Sequence, residues 1–502
     1  QWLTNMLDKI PFLHLTQPSY ISFKSEFAQL LAGEAGGVQD NASYIDDFEN
    51  TKGTIDVMTP TSWVISSVPS LNFKDDYNDK TGLTSGYHRS RLAWYTIDPL
   101  FTRRGSSLTP GHIKSDLKQL SNHYVREVYV KELFPLRQQS TYQGATSTLS
   151  VLNLAYYPSE PGPYNFNVSD LQSDGTLANP SRNWGGMMRK LDTNDFEQAN
   201  IEYIEFWMLD PFIYSREQSD AADYGGDFYI NLGEVSEDIL RDGKKFYESG
   251  MPVDGSNSFT YTQWGKIPTQ STVTYAFATT SGSRALQDVG FNGLTDAEEQ
   301  EFYKSAYLDQ IQGKVNQAVF DSIFADPARD NYHYFRGSDW DEMRAPILQR
   351  YKYVNNPQGN SPDSESRTES YDTSYKSTPD VEDINQDYTL NEYEKYFQYH
   401  VSIRPEDLVV GSNFIVDKRE YTQTWRDNTK STVTWYQFRI PVDEFEKRQG
   451  NINDFSSIRF MRMFLTNFRK PIVLRFGTLD LVHGKWRTYD QPLGAASGGT
   501  LE

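Results

Sequence analysis

Two acidic stretches of the chain have the residue types and spacing to bind a metal ion. Calcium loops of the EF-hand type place oxygen ligands at loop positions 1, 3, 5, 7 and 9, and a bidentate glutamate closes the loop at position 12. The stretches DVGFNGLTDAEE (288–299) and DINQDYTLNEYE (383–394) follow much of this pattern. Both are therefore candidate sites for structural calcium, the one cofactor that the sequence indicates.

Each stretch lacks one feature of the pattern. The first has Gly293 at the turn position, but Gly290 at position 3 offers no side-chain ligand. The second has Tyr388 where a glycine normally permits the sharp turn. The candidate ligands of the first stretch are Asp288, Asn292, Asp296 and Glu299. Those of the second are Asp383, Asn385, Asp387, Thr389, Asn391 and Glu394.

Helix capping is the alternative interpretation of both stretches. Thr295 with Glu298, and Thr389 with Glu392, each form the Thr-x-x-Glu pattern of a capping box ahead of a helix-like segment. A calcium loop also ends where a helix starts, so the two interpretations overlap. Neither indicates catalysis, and a calcium ion here would fix a joint between domains.

Enzymatic chemistry has little support in the sequence. The chain has no cysteine, and its 7 histidines show none of the spacings of metallohydrolases. Asp46, Asp47 and Glu49 could serve glycoside hydrolysis, which needs two carboxylates. Adjacent acids on one strand point to opposite faces, however. We therefore predict that the region is not an enzyme.

Composition and charge exclude several classes of protein. With 37% hydrophobic and 14% aromatic residues among 502, the chain has ample apolar surface to bury, so it is not disordered as a whole. The net charge of −20 repels nucleic acid. No apolar run approaches the roughly 18 residues of a membrane helix, and we expect a soluble region.

Alternating apolar and polar residues predict a chain made mainly of β-strands. One helix is indicated where apolar residues recur every fourth position and end before Pro327. Its stripe consists of Tyr303, Tyr307, Ile311, Val315, Val319 and Ile323. The predicted strands are 147–157, 201–209, 227–233, 435–442, 457–465 and 472–482.

A polar, Pro- and Ser-rich stretch suggests how the chain divides into domains. We predict two jelly-roll, galactose-binding-like β-sandwiches with a helical, loop-rich joint. The C-terminal GAASGGTLE indicates a tail with vector residues on an excised fragment. The predicted segments are an N-terminal extended segment (1–39), a first sandwich (40–285), a helical insertion (286–354), a polar linker (355–390), a second sandwich (391–490) and the tail (491–502).

A surface carbohydrate-binding module is the alternative function. An IDDFE strand near the start of a jelly roll, with Trp and Tyr to stack on sugars, resembles galactose-binding-like modules. Most tryptophans lie beside apolar strand residues and are expected in the core. For the loop residues Trp340 and Trp425 we also expect local packing.

Longer stretches resemble the SprA/Sov family, in consistent order along nearly the whole chain. They are EFAQLLAG (26–33), YIDDFENTKGTIDV (44–57), AWYTIDPLF (93–101), LSNHYVREVYVKELFP (120–135), NLAYYPSEPGPYNF (153–166), NPSRNWGGMMRKLDTNDFEQANIEYIEFWMLDPF (179–212), INLGEVSEDILRDGKKFYESGMP (230–252), QDVGFNGLTDAEE (287–299), YHYFRGSDWD (332–341) and DVEDINQDYTLNEYEKYFQYHV (380–401).

The resemblance implies a place in a secretion machine. The family forms the giant outer-membrane translocon of the Bacteroidota type IX secretion system, associated with gliding motility. Its members are very large single-chain β-barrels that work with a PorV-like partner and a plug protein and pass folded cargo. This chain would then be a soluble insertion of the extracellular cap, with a periplasmic location as the alternative.

Overall fold

The strands predicted from alternating hydrophobicity are present in the computed structural model, which describes residues 53–102, 105–135, 137, 147–270 and 274–483. These residues belong to one unit, Lys52–Glu502. The predicted N-terminal segment, the acids at 46–49 and the predicted tail lie outside the described residues. Strand 201–209 has the predicted bounds, and the predicted strand 147–157 is two strands. The predicted mainly-β class is confirmed.

The bounds of the strands are as follows. They are β1 (Gly53–Asp56), β2 (Val64–Ile65), β3 (Ser90–Tyr95), β4 (Val128–Tyr129), β5 (Thr148–Leu149), β6 (Leu152–Pro161), β7 (Trp184–Lys190), β8 (Ile201–Leu209), β9 (Gly226–Glu234), β10 (Phe259–Tyr261), β11 (Lys266–Pro268), β12 (Lys395–Ile403), β13 (Ile415–Thr424), β14 (Lys430–Pro441), β15 (Lys447–Gln449), β16 (Phe460–Thr466) and β17 (Ile472–His483).

The helices are short and lie between these strands. They are α1 (Lys74–Asn78), α2 (Pro99–Thr102), α3 (Gly111–Ser115), α4 (Leu117–Ser121), α5 (Val130–Leu133), α6 (Arg284–Gln287), α7 (Asp296–Phe302), α8 (Asp309–Ile311), α9 (Gln317–Ala325), α10 (Ser338–Glu342) and α11 (Ile347–Arg350). A π-helical turn, Lys304–Leu308, joins α7 to α8.

Two antiparallel sheets form a sandwich with the strand order of a jelly roll. One sheet has the order β13-β14-β8-β17-β6-β3, and β1 also pairs with β17. The other has the order β15-β12-β9-β16-β7-β2. Eight strands make up the jelly roll, and in chain order they are β6, β7, β8, β9, β12, β14, β16 and β17. The first of these strands pairs with the eighth, and the second pairs with the seventh. This pairing of early with late strands defines the jelly roll.

The predicted division into two sandwiches is wrong. Strands β12, β14, β16 and β17, which were assigned to a second sandwich, pair directly with β6 to β9 of the predicted first one. Strand β16 lies between β7 and β9, and β17 lies between β6 and β8. The chain therefore folds one sandwich from both halves, because a jelly roll closes only when its last strands return beside its first.

One aromatic core joins the two sheets. The ring of Phe228 in the second sheet lies 6.2 Å from that of Phe206 and 6.0 Å from that of Phe476, both in the first sheet. All three side chains are fully buried. Aromatic side chains bury the largest apolar area per residue, so this contact contributes strongly to holding the sheets together.

A second layer covers the outer face of the first sheet. Trp207 and Leu209 of β8 point away from the main core and pack with Val128, Leu133 and Trp435. Strand β8 is therefore buried on both faces, as its bulky residues at successive positions predict.

A buried polar cluster supports this outer layer. The Arg126 guanidinium forms two hydrogen bonds to the Glu132 carboxylate, at 2.7 and 2.8 Å. Its Nε donates to His123 Nδ1 at 2.9 Å. Arg475 donates to the backbone carbonyl oxygens of His123 and Arg126. Because His123 Nδ1 accepts this hydrogen bond from an arginine, the ring is held in its neutral form.

The long excursion of the chain lies between β9 and β12. These strands are direct neighbours, and Glu234 pairs with Lys395. Residues 235–394 therefore leave and rejoin the sandwich at one place, and we call them the insertion. The predicted linker 355–390 belongs to it and separates no domains, since Asn360, Ser361 and Glu382 are buried.

The predicted helical stripe is only partly helical. Tyr303, Tyr307 and Ile311 are buried along α7, the π-turn and α8. The chain then turns at Gly313, which has φ of 77°, and Val319 and Ile323 lie on the separate helix α9. Glycine adopts this left-handed conformation without steric cost, so it permits the break between the helices.

The single sandwich predicts that residues 391–490 cannot fold alone. Their strands would lose β6 to β9 as partners and expose the core aromatic residues. We expect the isolated fragment to show no cooperative thermal transition by circular dichroism, whereas the full chain shows one. A cooperative transition of the fragment would contradict the observed pairing.

His123 predicts a loss of stability in acid. Burial, with Arg126 and Arg475 nearby, lowers its pKa to about 3. An unfolded histidine takes up a proton near pH 6.5. Between these values the unfolded state binds more protons, so the free energy of unfolding falls as the pH drops, by roughly 1.4 kcal/mol per pH unit from this group. In His123→Asn, urea unfolding at pH 6, 5 and 4 should show a correspondingly shallower decline, and an unchanged decline would refute this role.

Candidate metal centre

Three carboxylates of the insertion converge. Asp296 and Glu299 lie three positions apart on α7, so they share one face of the helix. Asp326 follows the last residue of α9. One carboxylate oxygen from each lies within 4.8 Å of the others. Oxygens at these separations are close enough to bind one cation together.

A fourth acid, Asp330, contacts Asp326 through its backbone N–H at 3.1 Å, and its carboxylate interacts electrostatically with the three. Asp330 is fully buried, and neither of its carboxylate oxygens meets a hydrogen-bond donor in good geometry. Among its neighbours, the Tyr164 hydroxyl favours the charged form, while Glu299, Asp326 and Asp296 oppose it. We refer to Asp296, Glu299, Asp326 and Asp330 as the carboxylate cluster.

The cluster concentrates negative charge without a basic partner. Burial, and then the charge of Asp326, raises the pKa of Glu299. Burial, and then the charge of Glu299, raises the pKa of Asp330 well above its usual value. Among the ion pairs of the described residues, none involves a member of the cluster. Such a site favours a proton or a cation over an empty cavity.

Neighbouring groups orient the cluster. Asp296 Oδ1 accepts hydrogen bonds from Asn331 Nδ2 and Gln358 Nε2, both at 3.0 Å. Glu299 accepts from Asn292 Nδ2 at 2.5 Å and from the Ala328 backbone N–H at 3.0 Å. Asp296 Oδ2 and both oxygens of Glu299 keep a lone pair beyond the donors named here. The arrangement supplies hard oxygen ligands, which suit calcium.

The structure divides the predicted ligands of the first acidic stretch. Asp296 and Glu299 lie in the cluster, and Asn292 contacts it through its amide nitrogen. Asp288 does not join them, because its carboxylate accepts hydrogen bonds from Gly359 N–H and from Ser361 N–H and Oγ. The predicted loop therefore contributes two carboxylates to the cluster.

The capping interpretation of the first stretch is confirmed. Thr295 precedes α7, and its backbone N–H donates to Glu298 Oε2 at 3.0 Å in a capping box. Glu298 also pairs with Lys266 of β11. Capping and metal ligation use different carboxylates of the same helix, so the two interpretations are compatible here.

The side chains predicted as ligands in the second stretch form other hydrogen bonds. Asp383 accepts hydrogen bonds from the backbone N–H groups of Asp387 and Tyr388. Asp387 accepts from Thr389, and Asn385 donates to Asp387. Together these bonds form a turn that is closed by its own backbone.

The closing residues of that stretch serve the sandwich instead. Glu394 binds Arg462 of β16 through two hydrogen bonds of 2.8 and 2.7 Å, and both side chains are almost fully buried. Asn391 donates to the carbonyl oxygen of Val235 at 2.9 Å. The predicted capping box at Thr389 is absent, because the chain runs from Glu394 directly into β12 and Glu392 pairs with Lys80.

Sequence reasoning missed Asp326 and Asp330. Both belong to DPARD (326–330), in which the Asp326 carboxylate accepts a hydrogen bond from the Asp330 N–H at 3.1 Å. The signal was an acidic pair directly after the predicted helix, 27 residues beyond Glu299. The sequence alone could not show that this acidic pair lies beside the first stretch, because their contact depends on how α7 and α9 pack together.

The described tryptophans pack inside the protein. They are Trp63, Trp94, Trp184, Trp207, Trp264, Trp340, Trp425 and Trp435, each at most 6% exposed. Trp340 and Trp425 show the predicted local packing, and Trp425 lies over the Arg126 guanidinium. These side chains therefore provide no surface on which a sugar could stack.

The described part of the chain forms one β-sandwich with a long insertion, and comparison with known families relates its C-terminal part to secretion proteins. Residues 306–502 match the family described as motility related/secretion protein. This match supports the resemblance of the chain to the SprA/Sov family. No curated protein matches the chain. Among the described residues, the helices are too short or too polar to cross a membrane.

The buried pair Glu394–Arg462 predicts a structural role for the end of the second stretch. Glu394→Gln leaves the Arg462 charge unpaired, so the free energy of unfolding should fall by about 3–5 kcal/mol. Denaturant unfolding at neutral pH measures this change.

Glu392→Gln is the matched control. Glu392 lies only two residues before Glu394 in the chain, but it pairs with the exposed Lys80. An exposed pair contributes under about 1 kcal/mol. Equal losses in the two variants would contradict the assignment.

Proposed function

We propose that this chain is a non-catalytic soluble region of the outer-membrane translocon of a type IX secretion system. In this role it covers the extracellular mouth of the parent barrel and supports protein secretion and gliding motility. The family match over residues 306–502 carries the proposal, because that family is one of motility-related secretion proteins.

The sheet edges suit a protein beside which cargo chains pass. An exposed edge strand can pair with another chain, and proteins block this with short strands or charges. In the second sheet the edge strands β2 and β15 have only two and three residues. At the edge of the first sheet, β13 carries the exposed charges Lys418 and Glu420.

The other edge of the first sheet is covered. The Asn355 side chain accepts a hydrogen bond from Trp94 N–H and donates one to Trp94 O, both at 2.8 Å, in place of a neighbouring strand. With these edges blocked, the sandwich can stand next to cargo proteins without adding one of their strands to either sheet.

The proposed partners follow from this position. They are the rest of the parent barrel, a PorV-like outer-membrane protein, a plug protein and the secreted cargo. Nucleic acid is excluded on the acidic charge, which repels phosphate. Because both halves of the chain build one sandwich, the cap moves as one body rather than as two hinged lobes.

Cysteine labelling of intact cells tests the location. Lys418→Cys, in the full-length translocon, places a thiol on the exposed side of β13 in a region that has no native cysteine. A membrane-impermeant maleimide should label this variant without permeabilisation. Ser67→Cys is the control, because Ser67 is buried and serine and cysteine side chains are similar in size. This variant should remain unlabelled. Labelling of Lys418→Cys only after outer-membrane permeabilisation would favour the periplasmic alternative.

A deletion tests the function. Removal of residues 53–483 from the parent chain should reduce the secreted cargo and gliding, and should admit large antibiotics that the intact outer membrane excludes. The Glu392→Gln translocon serves as a control with an intact sandwich. Normal secretion, gliding and impermeability of the deletion strain would refute the cap role.

A further inference from the structure

We propose that the carboxylate cluster of Asp296, Glu299, Asp326 and Asp330 binds one calcium ion, which fixes the α7–α9 corner of the insertion onto the sandwich. This ligand set differs from both twelve-residue stretches, because it combines two residues of the first stretch with two residues of DPARD. The inference rests on the cluster alone and is independent of the proposed cap role.

The state of Asp330 points to a ligand. A buried carboxylate normally binds several donors, as shown by Glu382, which accepts hydrogen bonds from three backbone N–H groups at 2.8 to 3.3 Å. Asp330 is equally buried, yet its two oxygens meet no donor in good geometry. Leaving a buried charged group unsatisfied is costly, so a cation is the simplest partner.

The geometry favours calcium over magnesium. Calcium accepts six to eight oxygen ligands in flexible arrangements, whereas magnesium retains several waters and rarely occupies an all-protein cage. Glu299 and Asp330 are fully buried, which leaves little access for retained water. The cluster contains no nitrogen or sulfur donor, so zinc and the softer metals are disfavoured.

Calcium binding would add to the hydrogen bonds that already join α7 to the turn after α9, in which Glu299 accepts from the Ala328 N–H and Asp296 from Asn331 Nδ2. Glu299 lies on α7, and Asp326 and Asp330 bracket the turn after α9. Within that turn the Ala328 carbonyl accepts from Tyr164 N–H at 2.7 Å, beyond the end of β6. The Arg329 carbonyl accepts from Asn356 Nδ2 at 3.1 Å. A calcium ion would therefore tie α7 to a turn that already contacts the sandwich.

Calorimetric titration of the full chain, first freed of metal with EGTA, tests the proposal. Calcium should bind with a stoichiometry of one, and magnesium should bind at least tenfold more weakly. At calcium a hundredfold above its dissociation constant, the thermal midpoint should rise by about 2–3 °C, because the unfolding entropy of a chain this long is large. Absence of heat and of any thermal shift would overturn the proposal.

Conservative variants locate the ion. Asp326→Asn and Asp330→Asn should each lower the calcium affinity at least tenfold, while they leave the metal-free protein as stable as the wild type or more so. Asp387→Asn in the second acidic stretch is the matched control and should keep the wild-type affinity and thermal shift. Loss of calcium binding in Asp387→Asn, or its retention in both cluster variants, would overturn the assignment.

Luminescence of bound terbium gives a readout that needs no variant. Terbium substitutes for calcium in oxygen sites and is excited by nearby aromatic rings such as Tyr164. Addition of terbium to the metal-free chain should produce emission that calcium displaces competitively. If emission appears but calcium does not displace it, the metal binds elsewhere and the proposal fails.

Discussion

Buried carboxylates that accept backbone N–H groups hold the insertion to the sandwich, and the rest of the structure depends on them. Residues 235–394 are mostly turns, and turns leave backbone donors without the partners that helices and sheets supply. Glu237 accepts from the N–H groups of Ile384, Asn385 and Asn391, so it joins the start of the insertion to its end. Glu248 does the same for Gly290 and Asp380. Each of these bonds gives a backbone donor of the insertion the partner that a turn does not supply.

The same comparison separates structural carboxylates from the candidate metal centre. Glu237, Glu248 and Glu382 accept hydrogen bonds from backbone donors, which offset part of the hydration lost on burial, although burial still raises the pKa of each. Asp330 lacks such donors and lies beside three further acids. Glu394 illustrates a third solution, since the Arg462 guanidinium matches both of its oxygens. Buried acids of this chain thus have three kinds of surroundings, namely backbone donors, other acids and an arginine. The partner of each carboxylate shows which kind it is.

Local features of the fold could be predicted from the sequence, whereas features that depend on distant contacts could not. Strand 201–209 follows from its alternation and bulk, and the Thr295 cap follows from a four-residue pattern, because both are set by neighbours in the chain. The placement of β16 between β7 and β9 depends on residues more than 200 positions apart. Likewise, Glu394 fits position 12 of a calcium loop, but its carboxylate forms hydrogen bonds to Arg462 on the distant strand β16. Asp326 and Asp330 join Glu299 only after the chain turns at Gly313.

The pairing of the strands also determines which part of the chain can act as a unit. The family match begins at residue 306, inside the insertion, and includes β12 to β17. In the complete sandwich, β9 lies between β12 and β16 of one sheet, and β8 lies between β14 and β17 of the other. Neither β8 nor β9 belongs to the matched residues. Residues before 306 must therefore complete the sandwich, because β8 and β9 fill these places. A surface that spans both halves is consequently built on one set of paired strands, because the same hydrogen bonds that close the jelly roll join the two halves.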